Sequence, residues 1–199
     1  MGVEPMTKIA ILGWGSLLWD ESQREFDDQH EEWRFDGPVL KIEFSRISKS
    51  RENALTLVID PIHGHECRVA YTLSRRSNAE AAISDLSARE GTSEQNIGSF
   101  SAGGAHCQGR DSTATNGIVA WARSKSIHVV LWTDLPGSFE KVPQGDFVDA
   151  AVNHLRRLPP AGKLKAAEYV RRAPSFVVTP LRKAVETVPW FPKLLSGAS

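Results

Sequence analysis

The sequence predicts an α+β protein, and three patterns carry that prediction. Short apolar or alternating runs bounded by turn residues fill the stretch from Lys8 to Leu73, one helical stripe covers Asn78 to Glu90, and helical spacing returns from Phe147 onward. With 199 residues the chain can bury one sizeable core. A single domain over residues 1–199 is expected, in which 136–199 form a helical C-terminal extension.

Taken in order, Lys8–Gly13 is an apolar run closed by glycine, the pattern of a buried opening strand, and Trp14–Ser16 follow it as a loop. Asp20 to Asp36 is polar and acidic, with Trp33 and Phe35 as isolated anchors, and reads as irregular up to the breaker Gly37-Pro38. From Leu40 the chain alternates. Leu40, Ile42 and Phe44 fall on one face and Lys41, Glu43 and Ser45 on the other, which puts Arg46 on the apolar side. Further strands are predicted at Ala54–Ile59 and Arg68–Leu73, separated by the turn residues Asp60-Pro61 and His63-Gly64, and together they suggest a meander.

Ser77 or Asn78 caps a helix whose Ala79, Ala82, Ile83 and Leu86 share one face, and Gly91 ends it. Thr92 to Gly117, rich in Gly, Ser, Thr and Ala, reads as a long mobile loop and a candidate lid. Ile118–Arg123 and Ile127–Thr133 read as late strands that complete the sheet, with Trp121 and Trp132 as packing. Phe147–Leu158 has helical spacing and stops at Pro159-Pro160, and a final helical zone begins near Lys163.

Charge narrows the function. Lysine plus arginine equal aspartate plus glutamate at 24 each, so no overall field favours nucleic acid or an anionic membrane. No apolar run approaches the roughly 20 residues of a membrane span, and no basic start leads into a signal stretch. A cytoplasmic protein acting on a small molecule is expected, with Cys67 and Cys107 as free thiols. Arg156, Arg157, Lys163, Lys165, Arg171 and Arg172 make the last quarter basic against the acidic Glu21–Asp36 stretch. An acidic protein partner for these helices is a minor alternative.

Three features are candidates for chemistry. Glu90 lies seven residues after Ile83 and four after Leu86, which continues the buried stripe and points a carboxylate inward. Burial and the negative end of the helix dipole both disfavour its charge and raise its pKa, as a general acid–base glutamate requires. The competing reading has Glu90 facing water or paired with a buried arginine for structure. In the loop Gly13-Trp14-Gly15-Ser16-Leu17, two glycines let backbone N–H groups converge on an anion or a polarised carbonyl oxygen, although a tight turn would look the same. Arg46 can grip a substrate carboxylate in two-pronged fashion or face solvent, and Ser48, Lys49 and Arg51 crowd the same turn as secondary candidates. His63, His65 and Cys67 alternate but lack a fourth ligand and any zinc spacing, so no metal is expected. His106 beside Cys107 reads as ordinary loop sequence rather than a thiol site.

In order, the chain has a strand, Gly13-Trp14-Gly15-Ser16-Leu17-Leu18-Trp19, strands with Phe44-Ser45-Arg46 and Ala54-Leu55-Thr56-Leu57-Val58, and a helix ending Arg89-Glu90-Gly91. This order resembles the gamma-glutamyl cyclotransferase-like family, including its ChaC-type glutathione-degrading branch, over roughly residues 8 to 135. The family's Tyr-Gly-Ser-Leu loop corresponds to Trp14-Gly15-Ser16-Leu17 and its Glu-Gly pair to Glu90-Gly91. The resemblance implies a small mixed β-barrel with flanking helices and a cofactor-free reaction that cyclises a gamma-glutamyl group to 5-oxoproline. It also implies that Glu90 is the acid–base residue and Gly13–Leu17 the substrate cradle. Trp14 departs from the family tyrosine, keeping a flat wall and losing a hydroxyl. The alternative is a small-molecule binding or regulatory module that keeps the fold without turnover.

Overall fold

The computed structural model describes residues 7–20, 24–103 and 107–191. It is mixed α+β, with a five-stranded and a three-stranded sheet and, among the described residues, six α-helices. Neither sheet closes on itself among those residues. The chain divides into two compact units: one runs up to Leu40 and then from Arg68 to Leu135, the other from Lys41 to Cys67 and then from Pro136 onward.

The first unit holds the five-stranded sheet. Its strands are β1 (Ile9–Gly13), β5 (Ala70–Leu73), β6 (Ile97–Ser101), β7 (Cys107–Gln108) and β8 (Val129–Thr133), ordered β5-β1-β8-β6-β7. β1 and β8 pair in parallel with Ala10 opposite Val130, and the other pairings are antiparallel. Every residue of β1 is buried, as a continuous apolar run requires when both sheet faces are covered. Ile9, Ile11, Val129 and Leu131 alternate onto one face, where they form a core with Ala82 and Leu86 of α2 (Ala79–Glu90), Leu17, and Phe26 of the short α1 (Arg24–Asp27). On the opposite face Tyr71, in register with Leu12, meets Trp121 of α3 (Ser112–Ser124) edge-on with ring centroids 4.9 Å apart.

Two expectations fail in this unit. Thr92–Gly117 is not a long loop, because β6, β7 and the start of α3 lie within it. β6 escapes notice since Gly98 and Ser99 sit where larger apolar residues would announce a strand. Gly98 is small because the Trp132 indole occupies the space a Cβ would take. Ile118–Arg123 is helix, not strand: the Asp111 carboxylate accepts from the Ala114 N–H at 2.8 Å, and Thr115, Ile118 and Ala122 bury one helical face.

The second unit holds β2 (Val39–Ser48), β3 (Ala54–Ile59) and β4 (His65–Arg68), ordered β3-β2-β4. Three helices complete it: α4 (Phe147–Arg157), α5 (Pro160–Arg172), which packs on β3, and α6 (Pro180–Thr187). The expected third strand at Arg68–Leu73 is divided. His65–Arg68 stays with β2, whereas Ala70–Leu73 pairs with β1, so the meander stops at β4. The alternation expected in β2 also breaks. Its register with β3 shifts between Glu43 and Arg46, and Glu43 and Ser45, read as outward, are both fully buried. The turn after β2 puts Glu52 and Asn53 in the left-handed region, at φ 54° and 61°. His154 Nε2 donates to the Asn53 carbonyl at 2.8 Å, and Gly162 lets α5 approach the Glu52 carbonyl, where a Cβ would stand 2.8 Å away. No helix among the described residues is long and apolar enough to cross a membrane.

Candidate functional site

The Gly13–Leu17 loop grows directly out of β1. Gly13 pairs with Ala70, and a Cβ on it would meet the Trp33 ring at 2.8 Å, so packing alone accounts for this glycine. Trp14 is buried, Gly15 has φ −131° and ψ −139°, and Ser16–Leu18 form a single 3₁₀ turn. That turn is tied by Leu18 N–H to the Gly15 carbonyl at 3.0 Å, and by the N–H groups of Trp19 and Asp20 to the Ser16 carbonyl at 3.2 and 2.8 Å. Leu17 anchors it in the core beside Leu86 of α2.

α2 begins and ends as its sequence requires. The Asn78 side chain accepts from the Ala81 N–H at 2.8 Å. At the other end Gly91 adopts φ 58°, its N–H donates to the Ala88 carbonyl, and Thr92 N–H donates to the Ser87 carbonyl, which is a Schellman closure. The buried face differs from the expected one in its last turn. Ala82 and Leu86 lead to Arg89, whose side chain is 6% exposed, while the Glu90 side chain at 19% sits at the edge of the stripe. Spacings of three and four both continue a helical face, so periodicity does not separate the two positions.

Arg89 is the residue the sequence reading missed. One guanidinium nitrogen, Nη2, donates to the Ser16 carbonyl at 3.2 Å and to the Asp20 carbonyl at 2.9 Å. Nη1 lies 4.0 Å from Glu90 Oε1, and Nε, also buried, has no hydrogen-bond partner. The last turn of α2 and the turn that continues the glycine loop are therefore fastened together. The signal for Arg89 was present in its positions three after Leu86 and seven after Ala82.

Arg46 belongs to the second unit, where it is half-buried and its Nη1 donates to the Pro136 carbonyl at 3.1 Å. The same unit buries polar side chains whose contacts the sequence does not announce. Asp60 accepts at Oδ1 from the N–H groups of Ile62 and His63, at 3.0 and 2.9 Å, and its Oδ2 lies 3.1 Å from His63 Nδ1. His63 Nε2 is 2.9 Å from the Val142 carbonyl, and its ring stacks on Phe147 with centroids 4.5 Å apart. The surrounding donors, led by the His63 N–H, hold the Asp60 carboxyl below its ordinary range despite burial. Glu43 goes the other way. Burial outweighs the Thr179 hydroxyl and the Phe44 and Leu181 N–H groups and pushes it up to about 7. Its Oε1 accepts from Phe44 N–H at 2.8 Å.

No family model, curated protein or solved structure matches this chain. Function therefore rests on the site itself. His63, His65 and Cys67 do not converge: His63 is engaged with Asp60, His65 is exposed, and the buried Cys67 thiol donates to the Val178 carbonyl at 3.9 Å. Among the described residues no group of three His, Cys, Asp or Glu side chains is arranged to hold a metal. Cys107 is exposed on β7, and His106 lies outside the described residues. What the first unit offers chemically is a carboxylate at the end of a helix, a cation beside it, and a glycine loop whose continuation that cation holds.

Proposed function

We propose that the chain is a cofactor-independent gamma-glutamyl cyclotransferase, converting a gamma-glutamyl group to 5-oxoproline with release of an amine or peptide. The reading includes the small mixed β-barrel of that family, a cytoplasmic location, and Glu90 with Gly13–Leu17 as the working parts. One observation carries it: through Arg89, the helix turn bearing Glu90 is hydrogen-bonded to the Ser16 and Asp20 carbonyls, so the acid–base candidate and the cradle candidate are built as neighbours.

In this reaction the substrate's own α-amino nitrogen attacks its γ-carbonyl carbon. A new C–N bond closes the five-membered lactam, and the C–N bond to the leaving amine breaks. The ammonium must lose a proton before attack and the leaving nitrogen must gain one, so a single carboxylate that takes the first and returns it serves both steps. Glu90 has that role. The carbonyl oxygen gains negative charge during attack and calls for donors fixed in advance, which backbone N–H groups of Gly13–Leu17 supply. Because the closure is intramolecular, holding the substrate curled contributes much of the rate. Trp14 gives this cradle an indole wall in place of a phenol.

The test is 5-oxoproline release from a panel of gamma-glutamyl peptides and amines, comparing wild type with Glu90→Gln after both are shown to fold. Product from the wild type and a loss of at least about 1,000-fold in the variant are expected, since the amide can neither take up the ammonium proton nor return it to the leaving nitrogen. The 4.0 Å approach of Arg89 to Glu90 favours one other reading, a binding module in which Glu90 is only a counter-ion. In that case neither protein releases product while a gamma-glutamyl compound still binds.

A further inference from the structure

We infer that Arg89 is a positioning residue: its guanidinium fixes the Ser16–Asp20 turn, and with it the glycine cradle, to the helix turn that carries Glu90. The inference rests on the proposed cyclotransferase reading for its catalytic consequence, but the geometry stands by itself. A methionine at this point of the stripe would bury as well without dehydrating a cation, which is unfavourable unless partners compensate for the lost water. What arginine adds is a buried nitrogen, Nη2, whose two N–H groups can serve two acceptors at once. Two of the bonds it makes go to main-chain carbonyls four residues apart, at the first and last residues of one turn, and not to side chains. The Ser16 carbonyl is the hub, accepting from Arg89 as well as from the N–H groups of Trp19 and Asp20. Releasing Arg89 frees that hub and lets the turn move against Glu90, and misplacement by about 1 Å is enough to cost about 100-fold in rate.

Three variants of the full-length protein test this: Arg89→Met, Arg89→Lys and, as a control in the same unit, Arg76→Met, which removes the exposed pair with Asp85. Amide hydrogen exchange is read at Leu18, Trp19 and Asp20, whose N–H groups report the turn, and at β8 as a reference for the intact sheet. Turnover is read per folded molecule, with kcat and KM separated. Arg89→Met is expected to raise exchange at those three amides at least tenfold, with β8 and the Arg76→Met protein unchanged. It should lower kcat at least tenfold with KM altered less than threefold, and Arg89→Lys should recover part of the loss in both readouts. If Arg89→Met does not fold, Arg89→Lys decides, with exchange and kcat intermediate on this inference and at wild-type values without it. Wild-type exchange in the folded variants overturns the inference whatever the activity. If the wild type releases no 5-oxoproline but exchange rises as stated, the cyclotransferase reading fails and the positioning role stands.

Discussion

At the scale of single residues, size and burial decide more here than chemical type. Gly98 is a strand residue whose missing side chain makes room for the Trp132 indole, so Gly98→Ala is expected to destabilise the first unit by about 1–3 kcal/mol through overpacking. Chemical denaturation followed by tryptophan fluorescence measures this, and a variant as stable as wild type would mean that the indole can retreat. The same rule explains what could and could not be read beforehand. Gly13 announced the end of a strand and Trp14 the loop after it, and the strand ends at Gly13 with a short 3₁₀ turn following at Ser16–Leu18. Glu43 and Ser45 did not announce their burial, because a polar residue alternating with apolar ones is ordinarily the solvent side of a strand. Only a second covered face and a register shift bring them inside, and neither is written in the local pattern.

Helix ends were the most legible feature at the scale of elements. Asn78 and Gly91 bracket α2 as an N-cap and a left-handed closure, since each rule depends on atoms within four residues. Asn78→Ala should cost about 1 kcal/mol by leaving the Ala81 N–H unpaired, and Gly91→Ala about 1–2 kcal/mol by forcing a Cβ into φ 58°. Thermal unfolding reads both, and Asn78→Asp, which keeps the acceptor, should remain within a few tenths of a kcal/mol of wild type. α3 and β6 were not legible for the opposite reason. The apolar stretch Ile118-Val119-Ala120-Trp121 looks like a strand until the Asp111 cap, seven residues upstream, is joined to Thr115, Ile118 and Ala122. In α2 the stripe was visible but its final turn was not: whether Arg89 or Glu90 goes inward depends on the carbonyls of Ser16 and Asp20, which lie 69 residues or more away in sequence.

For the whole molecule, the buried carboxyls set how stability depends on pH. The Glu43 carboxyl is held up to about 7 by burial, against an ordinary value of 4.5. Between those limits the folded state binds more protons than the unfolded state, so stability falls as pH rises through the window and levels off above it. The full effect is about 3 kcal/mol, since each tenfold change in proton affinity between the folded and unfolded chain is worth about 1.4 kcal/mol. Asp60 has the opposite sign: its contribution is present above its ordinary value of 3.8 and is lost as the solution is made more acidic, outside the Glu43 window. Glu43→Gln should therefore gain stability relative to wild type between about pH 5 and pH 8, measured as the difference between their denaturation midpoints at each pH. A difference that stays flat would place the titrating group elsewhere.

The parallel pairing of β1 with β8 also governs how this protein comes into being on the ribosome. Ile9 lies beside Val129, so the first strand emerges from the exit tunnel about 120 residues before its partner exists. In the interval it can hold the antiparallel contact with β5 and the packing of Leu17, Phe26, Ala82 and Leu86, while the chain from Lys41 to Cys67 waits for the segment that begins at Pro136. Neither unit is a contiguous stretch that can fold and detach from the growing chain. Each must keep an apolar strand without its final partner during synthesis, a long-range pairing that is slow to form and leaves a strand edge open in the meantime.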